Sequence, residues 1–207
     1  MRITLAMTGA SGAIFGQTML RMLAKDERVE RIHFIASTSA LRVLAEEMGI
    51  SGRTGLVEKL LGQTPSKVAE HPKKIVQHHE DDIGASIASG SYPTEGMIVL
   101  PCSMGTLAGV AHGLAKNLTE RAADVCLKER RRLLLCVRET PFNLIHLRNM
   151  TLAAEAGATI FPVIPSFYNQ PTDSAEMANQ YVCRLLAHFG LAQKDAYIWK
   201  GNESSEV

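Results

Sequence analysis

The stretch Ile3-Thr4-Leu5-Ala6-Met7-Thr8-Gly9-Ala10-Ser11-Gly12-Ala13-Ile14-Phe15-Gly16 decides how this chain is read. An apolar run of strand length breaks at Thr8-Gly9 and small residues follow. Phe15, Met19, Leu20, Met22 and Leu23 then recur at helical spacing. That order predicts strand, tight turn and helix, with the turn at the carboxyl end of the first strand. Glycines there let the backbone approach a ligand, and the unpaired N–H groups opening the helix favour an anion. The expectation is a phosphate-bearing ligand seated on residues 9–12. The plainer alternative is a tight βα turn that binds nothing.

The spacing Gly9, Gly12, Gly16 is not G-x-G-x-x-G, and the dinucleotide fingerprint also asks for an acidic residue ending the second strand. Here Arg31-Ile32-His33-Phe34-Ile35-Ala36 runs into Ser37-Thr38-Ser39, so hydroxyls stand where that carboxylate would be. The Thr8-Gly9-Ala10-Ser11-Gly12 start is similar to that of short-chain dehydrogenases. Yet none of Tyr92, Tyr168, Tyr181 and Tyr197 is followed by lysine at the fourth position. A nicotinamide enzyme is disfavoured, and a mononucleotide such as FMN fits better.

At 207 residues with net charge +1, the chain suits one α/β domain, expected over residues 1–190 with a polar tail over 191–207. Its densest basic cluster, Arg130-Arg131-Arg132, is short, so nothing points to nucleic acid. No apolar run nears the roughly 20 residues of a membrane helix, and the first strand starts almost at Met1, leaving no room for a signal peptide. Cys102, Cys126, Cys136 and Cys183 lack close paired spacing, as expected of reduced thiols in a cytoplasmic protein.

Further strands are expected at 31–37, 74–77, 97–100, 133–137 and 159–163. Helices are expected at 40–47, 52–62, 107–114, 118–131, 144–156 and 174–189, with a polar stretch ending near His71-Pro72. This alternation indicates one doubly wound parallel sheet, flavodoxin-like or Rossmann-type, in three layers. His78-His79-Glu80-Asp81-Asp82 invites a metal, but adjacent histidines do not easily share one and no further ligand cluster follows, so no metal is expected. Pro101-Cys102-Ser103-Met104-Gly105-Thr106 repeats the opening logic at the end of a buried strand. Cys102 has no base beside it in sequence and reads as a packed small residue. Arg138 and Glu139 end another buried strand, at the crevice where open α/β sheets bind ligands.

With these segments in view, the chain resembles the UbiX-like flavin prenyltransferases along nearly its whole length. The matching stretches, in order, are Thr8-Gly9-Ala10-Ser11-Gly12-Ala13, Ser89-Gly90-Ser91, Pro101-Cys102-Ser103, Glu120-Arg121-Ala122-Ala123-Asp124-Val125, Leu127-Lys128-Glu129-Arg130-Arg131, Val137-Arg138-Glu139-Thr140-Pro141, Ile145-His146-Leu147 and Phe167-Tyr168. The resemblance implies a homo-oligomer, typically dodecameric, that joins a dimethylallyl group from dimethylallyl phosphate to N5 and C6 of reduced FMN without a metal. The product, prenylated FMN, serves UbiD-type decarboxylases. It assigns FMN to Gly9, Ala10, Ser11, Ser37, Ser103, Met104, Gly105, Thr106 and Arg138. It assigns the prenyl donor to Arg121, Lys128, Glu139, Tyr168 and Arg184, with Ser89 and Gly90. Glu139 then serves as general acid to the leaving phosphate, and Glu47, relayed through Ser11, as base; Glu46 is the other candidate for that carboxylate. The rivals are a non-catalytic FMN carrier and a flavin-dependent cysteine decarboxylase. The latter's Pro-x-Met-Asn-x-x-Met-Trp motif is replaced here by Pro165-Ser166-Phe167-Tyr168-Asn169-Gln170-Pro171.

Overall fold

The computed structural model describes residues 1–62 and 74–199. Among them, strands β1 (Arg2–Met7), β2 (Arg31–Ala36), β3 (Ile75–His78), β4 (Gly96–Cys102), β5 (Arg132–Val137) and β6 (Thr159–Ile160) form one parallel sheet in the order β3-β2-β1-β4-β5-β6. The helices are α1 (Ala13–Lys25), α2 (Thr38–Met48), α3 (Leu56–Leu61), α4 (Met104–Ala111), α5 (Leu118–Lys128), α6 (Leu144–Glu155) and α7 (Ser174–Phe189). Without edge strand β3, and with the rest renumbered, the order becomes 2-1-3-4-5, the flavodoxin arrangement. The doubly wound reading therefore stands, with its switch point between β1 and β4.

Two compact units make up the chain, Met1–Val163 and Ile164–Val207. Side chains alternate faces along each strand of the first unit. Ala6, Met97, Val99, Leu133, Leu135 and Val137 join one buried cluster with residues of α4, α5 and α6. Their strand neighbours Leu5, Ile98, Leu134 and Cys136 are as fully buried on the other face, where α1 packs with α2 and α3. Each fully buried aliphatic side chain contributes about 1.5–3 kcal/mol, and strands buried on both faces explain the near-continuous apolar runs. In the second unit, α7 buries Ala178, Val182, Leu185, Leu186 and Phe189. The following segment folds back, with the Tyr197 amide donating to Gln180 Oε1 at 3.0 Å and the Trp199 ring edge-on to Tyr168 at 5.1 Å.

Element ends differ from the sequence expectations for local reasons. Helix α4 begins at Met104 because Ser103 caps it, accepting from the Thr106 amide. Helix α5 stops at Lys128 as Arg130 adopts a left-handed φ of 54°. Only Leu56–Leu61 of the expected 52–62 helix forms, after Gly55 at φ 62°. Strand β3 spans Ile75–His78, ending one residue beyond the expected 74–77. The polar stretch ending near His71-Pro72 lies outside the described residues.

Candidate active site

The turns that follow β1, β2, β4 and β5 are tied to one another by hydrogen bonds. The Ser37 amide donates to Met7 O at 3.0 Å, Thr8 N to Pro101 O at 3.2 Å, and Arg138 N to Cys102 O at 3.2 Å. Thr8 adds a second pair across the switch point. Its buried hydroxyl donates to Pro101 O and accepts from Ser103 N, both at 2.8 Å. The first turn and the turn after β4 thus share one side chain, and the crevice between them sits where open α/β sheets receive ligands.

Glycines allow the close approaches here. A Cβ on Gly9 would collide with Ser39 of α2, and one on Gly16 would lie 2.8 Å from Leu100 O and 2.5 Å from Met7 Cε. Gly12, at φ 110°, is the N-cap of α1. The anion expected on the opening amides of that helix meets a finding that narrows its seat. Glu47 reaches over from α2 and accepts from Gly12 N at 3.1 Å and Ala13 N at 2.8 Å. Partial burial pushes the Glu47 carboxyl up. The Ser11 hydroxyl, the Ala13 and Gly12 amides and the Arg138 charge outweigh that and hold it below the usual carboxylate range. Those two amides already face an anion of the protein's own, which leaves the turn itself, residues 9–11, for a ligand. The same geometry separates the two neighbouring glutamates, because Glu47 is the one joined to Ser11.

At the end of β2, Ser37 caps α2, accepting from Ala40 N at 3.0 Å. The Thr38 amide donates to Glu80 Oε1 at 2.7 Å. Arg53 holds that carboxylate at 2.7 Å and reaches Ala36 O at 2.6 Å. Glu80 thereby fixes the flank of the Ser37 turn. Three other members of the His78–Asp82 run are also engaged: His78 Nε2 lies 2.9 Å from His33 Nδ1, and His79 pairs with Asp81 at 3.4 Å. Among the described residues no three His, Cys, Asp or Glu side chains group as metal ligands.

After β4, Ser103 Oγ lies 3.1 Å from Thr106 Oγ1, Met104 is buried, and a Cβ on Gly105 would meet open space. Cys102 is fully buried and its thiol pKa is raised to about 12 by burial, so it is no nucleophile. Glu139 is exposed beyond β5, its carboxylate accepting from the Thr140 amide at 3.0 Å.

A second group of residues assigned by the resemblance gathers around the segment 88–94. Gly90 lies directly beneath the ion pair of Lys128 and Glu129, so that a Cβ there would be 2.5 Å from Lys128 Nζ and would collide with the Glu129 carboxylate. Ser89 Oγ and Ser91 Oγ are 2.9 Å apart. Arg121 donates to Ala88 O at 3.0 Å and to Asp124 at 2.7 Å, so it holds this segment from α5. Arg131 donates to Gly90 O at 2.6 Å and Tyr92 O at 2.9 Å. Tyr168 and Arg184 belong to the second unit, where both are exposed. The sequence reading missed Thr8, Arg53, Glu80 and Arg131 as site-building residues. Thr8 and Arg131 carried a signal, each lying within a motif quoted for the resemblance.

Comparison with known proteins places the chain in a family. The Flavoprotein family model matches residues 1–182. The flavin prenyltransferase UbiX of Salmonella typhimurium is 44% identical over 202 residues, covering 97% of this chain and 98% of that protein. Among solved structures, a dodecameric FMN-dependent UbiX-like decarboxylase from Escherichia coli O157:H7 aligns with a TM-score of 0.84 at 38% identity, covering 97% of this chain and 100% of that one. AnUbiX (PadA1), solved with FMN and dimethylallyl pyrophosphate, aligns with a TM-score of 0.82 at 39% identity and 97% coverage of each chain. The chain that folds these turns into one crevice therefore belongs to the Flavoprotein family and, within it, to the UbiX-like flavin prenyltransferases.

Proposed function

We propose that this protein transfers the dimethylallyl group of dimethylallyl phosphate to reduced FMN, releasing prenylated FMN for a UbiD-type decarboxylase. The observation that carries this reading is that the Gly9–Ser11, Ser37, Ser103–Thr106 and Arg138 turns are tied together by hydrogen bonds, Thr8 joining the first to the turn after β4, while elsewhere in the same unit a cationic side chain, Lys128, is seated on Gly90. The residues present fit FMN. Gly105 has open space in front of it, and the lack of a side chain at Gly9 lets the first turn pack against Ser39 of α2. Reduced FMN supplies the electron-rich ring that takes the prenyl carbon.

The chain's own residues do the rest. As the allylic C–O bond breaks, negative charge gathers on the departing phosphate, and Lys128 neutralises it by exchanging its Glu129 partner for the phosphate. Glu139 in its protonated form donates to the leaving oxygen, help worth about 10²–10⁴-fold. Glu47 stays ionised, held by Ser11, and takes the ring proton through that hydroxyl. Donor contacts from Arg121 and Ser89 complete the assignment within the first unit. Since Arg121 is paired with Asp124, its share is to place the 88–94 segment as much as to meet the phosphate. Working as a homo-oligomer, a dodecamer as in the E. coli structure, fits the exposed apolar side chains Phe142, Leu144, Ile145 and Leu147 around the start of α6.

Phosphate release tests the reading. Anaerobic incubation with reduced FMN and dimethylallyl phosphate should liberate inorganic phosphate in proportion to the flavin supplied. Absence of release with tight FMN binding would favour a carrier instead.

A further inference from the structure

We infer that Arg131 is a positioning residue for the prenyl-donor phosphate, acting through the backbone of Gly90; the inference rests on the assignment of Lys128, Ser89 and Gly90 to the donor. Arg131 follows α5 and is turned back by the left-handed Arg130, its amide donating to Cys126 O at 2.8 Å. That reversal aims its guanidinium at the segment before β4. Nη2 donates to Gly90 O at 2.6 Å, and Nη1 to Tyr92 O at 2.9 Å and Thr94 Oγ1 at 3.3 Å. A planar fork meeting two carbonyls and a hydroxyl fixes both position and orientation of the backbone it grips, which an ammonium does not reproduce.

What is gripped is the floor under Lys128. Gly90 lies against Lys128 Nζ and the Glu129 carboxylate so closely that no side chain fits between. The Lys128 ammonium therefore takes its place from Gly90, and Gly90 takes its place from Arg131. The segment has a further anchor on each side of Gly90: Arg121 holds Ala88 O, and Tyr92 Oη, whose carbonyl Arg131 also grips, lies 3.0 Å from His33 Nε2. Releasing Arg131 frees the Gly90 carbonyl while Ala88 O and the Tyr92 side chain stay attached. That is the condition under which the donor phosphate loses its partner and the FMN turns do not.

The test is steady-state prenylation by Arg131→Met and Arg131→Lys, with the FMN dissociation constant and melting temperature measured alongside. Arg131→Met should raise KM for dimethylallyl phosphate about tenfold or more, since ångström-scale misplacement of a binding group has effects of this order and larger. The FMN dissociation constant should stay within about twofold. Arg131→Lys, which keeps the charge and can reach only part of the set, should fall between Met and the parent. An unchanged donor KM in Arg131→Met, or an equal rise in both constants, would overturn the inference. If Arg131→Met does not fold, Arg131→Lys decides by the same two constants. A parent protein that shows no saturable donor dependence would overturn the donor assignment itself, a distinct outcome.

Discussion

Replacing Thr8 by valine keeps shape and removes one hydroxyl. In the structure that hydroxyl is the acceptor of Ser103 N and a donor to Pro101 O, and the residue is only 3% exposed. Pro101 O keeps the Thr8 amide at 3.2 Å, so its loss is partial. The Ser103 amide is left without its partner in a half-buried position, which costs about 1–3 kcal/mol. Taking about 2 kcal/mol, a chain of this size should melt about 4–8 °C lower. The same residue caps α4 through its side chain, so the turn proposed to face the flavin should shift as well. FMN affinity, followed by quenching of flavin fluorescence, should weaken about tenfold. Thr8→Ser restores the hydroxyl and should recover most of both. Unchanged melting temperature and FMN affinity in Thr8→Val would refute the view that this side chain joins the two turns.

Gly16→Ala would place a Cβ 2.8 Å from Leu100 O, a backbone atom without freedom to retreat, and should destabilise by about 1–3 kcal/mol in chemical denaturation. His33 predicts an acid-labile fold. Burial first, then the charges of His78, Arg31 and Arg2, lower its pKa to about 4 against an ordinary 6.5. A neutral form favoured on folding contributes stability that is fully present above pH 6.5 and is lost as pH falls towards 4, at most about 3 kcal/mol. His33→Gln should flatten that dependence. Cys102 should resist iodoacetamide at pH 8 in the native protein, because its thiol is fully buried with a pKa of about 12, and labelling should appear only on unfolding. Glu47→Gln should slow prenylation by about 10²-fold or more while FMN remains bound.

Much of the fold was legible because periodicity is local. The apolar run 3–7 and the helical spacing from Phe15 onwards define β1 and α1 without reference to anything else. Ends were less so: Arg130 adopts a left-handed conformation that its residue type does not advertise, and α5 stops there. The turns themselves were legible because each follows a buried strand. What joins them was not, since Thr8 and Ser103 lie 95 residues apart and Arg53 and Glu80 27. Such pairings exist only once the sheet order brings strand ends together. The anion reading of the first turn shows the same limit. Free amides at Gly12 and Ala13 were a sound local inference, and a carboxylate from α2 takes them. The choice between Glu46 and Glu47 depended on the phase of α2, set by its Ser37 cap, not on composition.

The central claim is best tested by the mass of the flavin recovered after anaerobic incubation with reduced FMN and dimethylallyl phosphate. A flavin heavier by one dimethylallyl unit, formed only when donor and protein are both present, is the predicted result. Recovery of unmodified FMN with either the monophosphate or the diphosphate donor would contradict it.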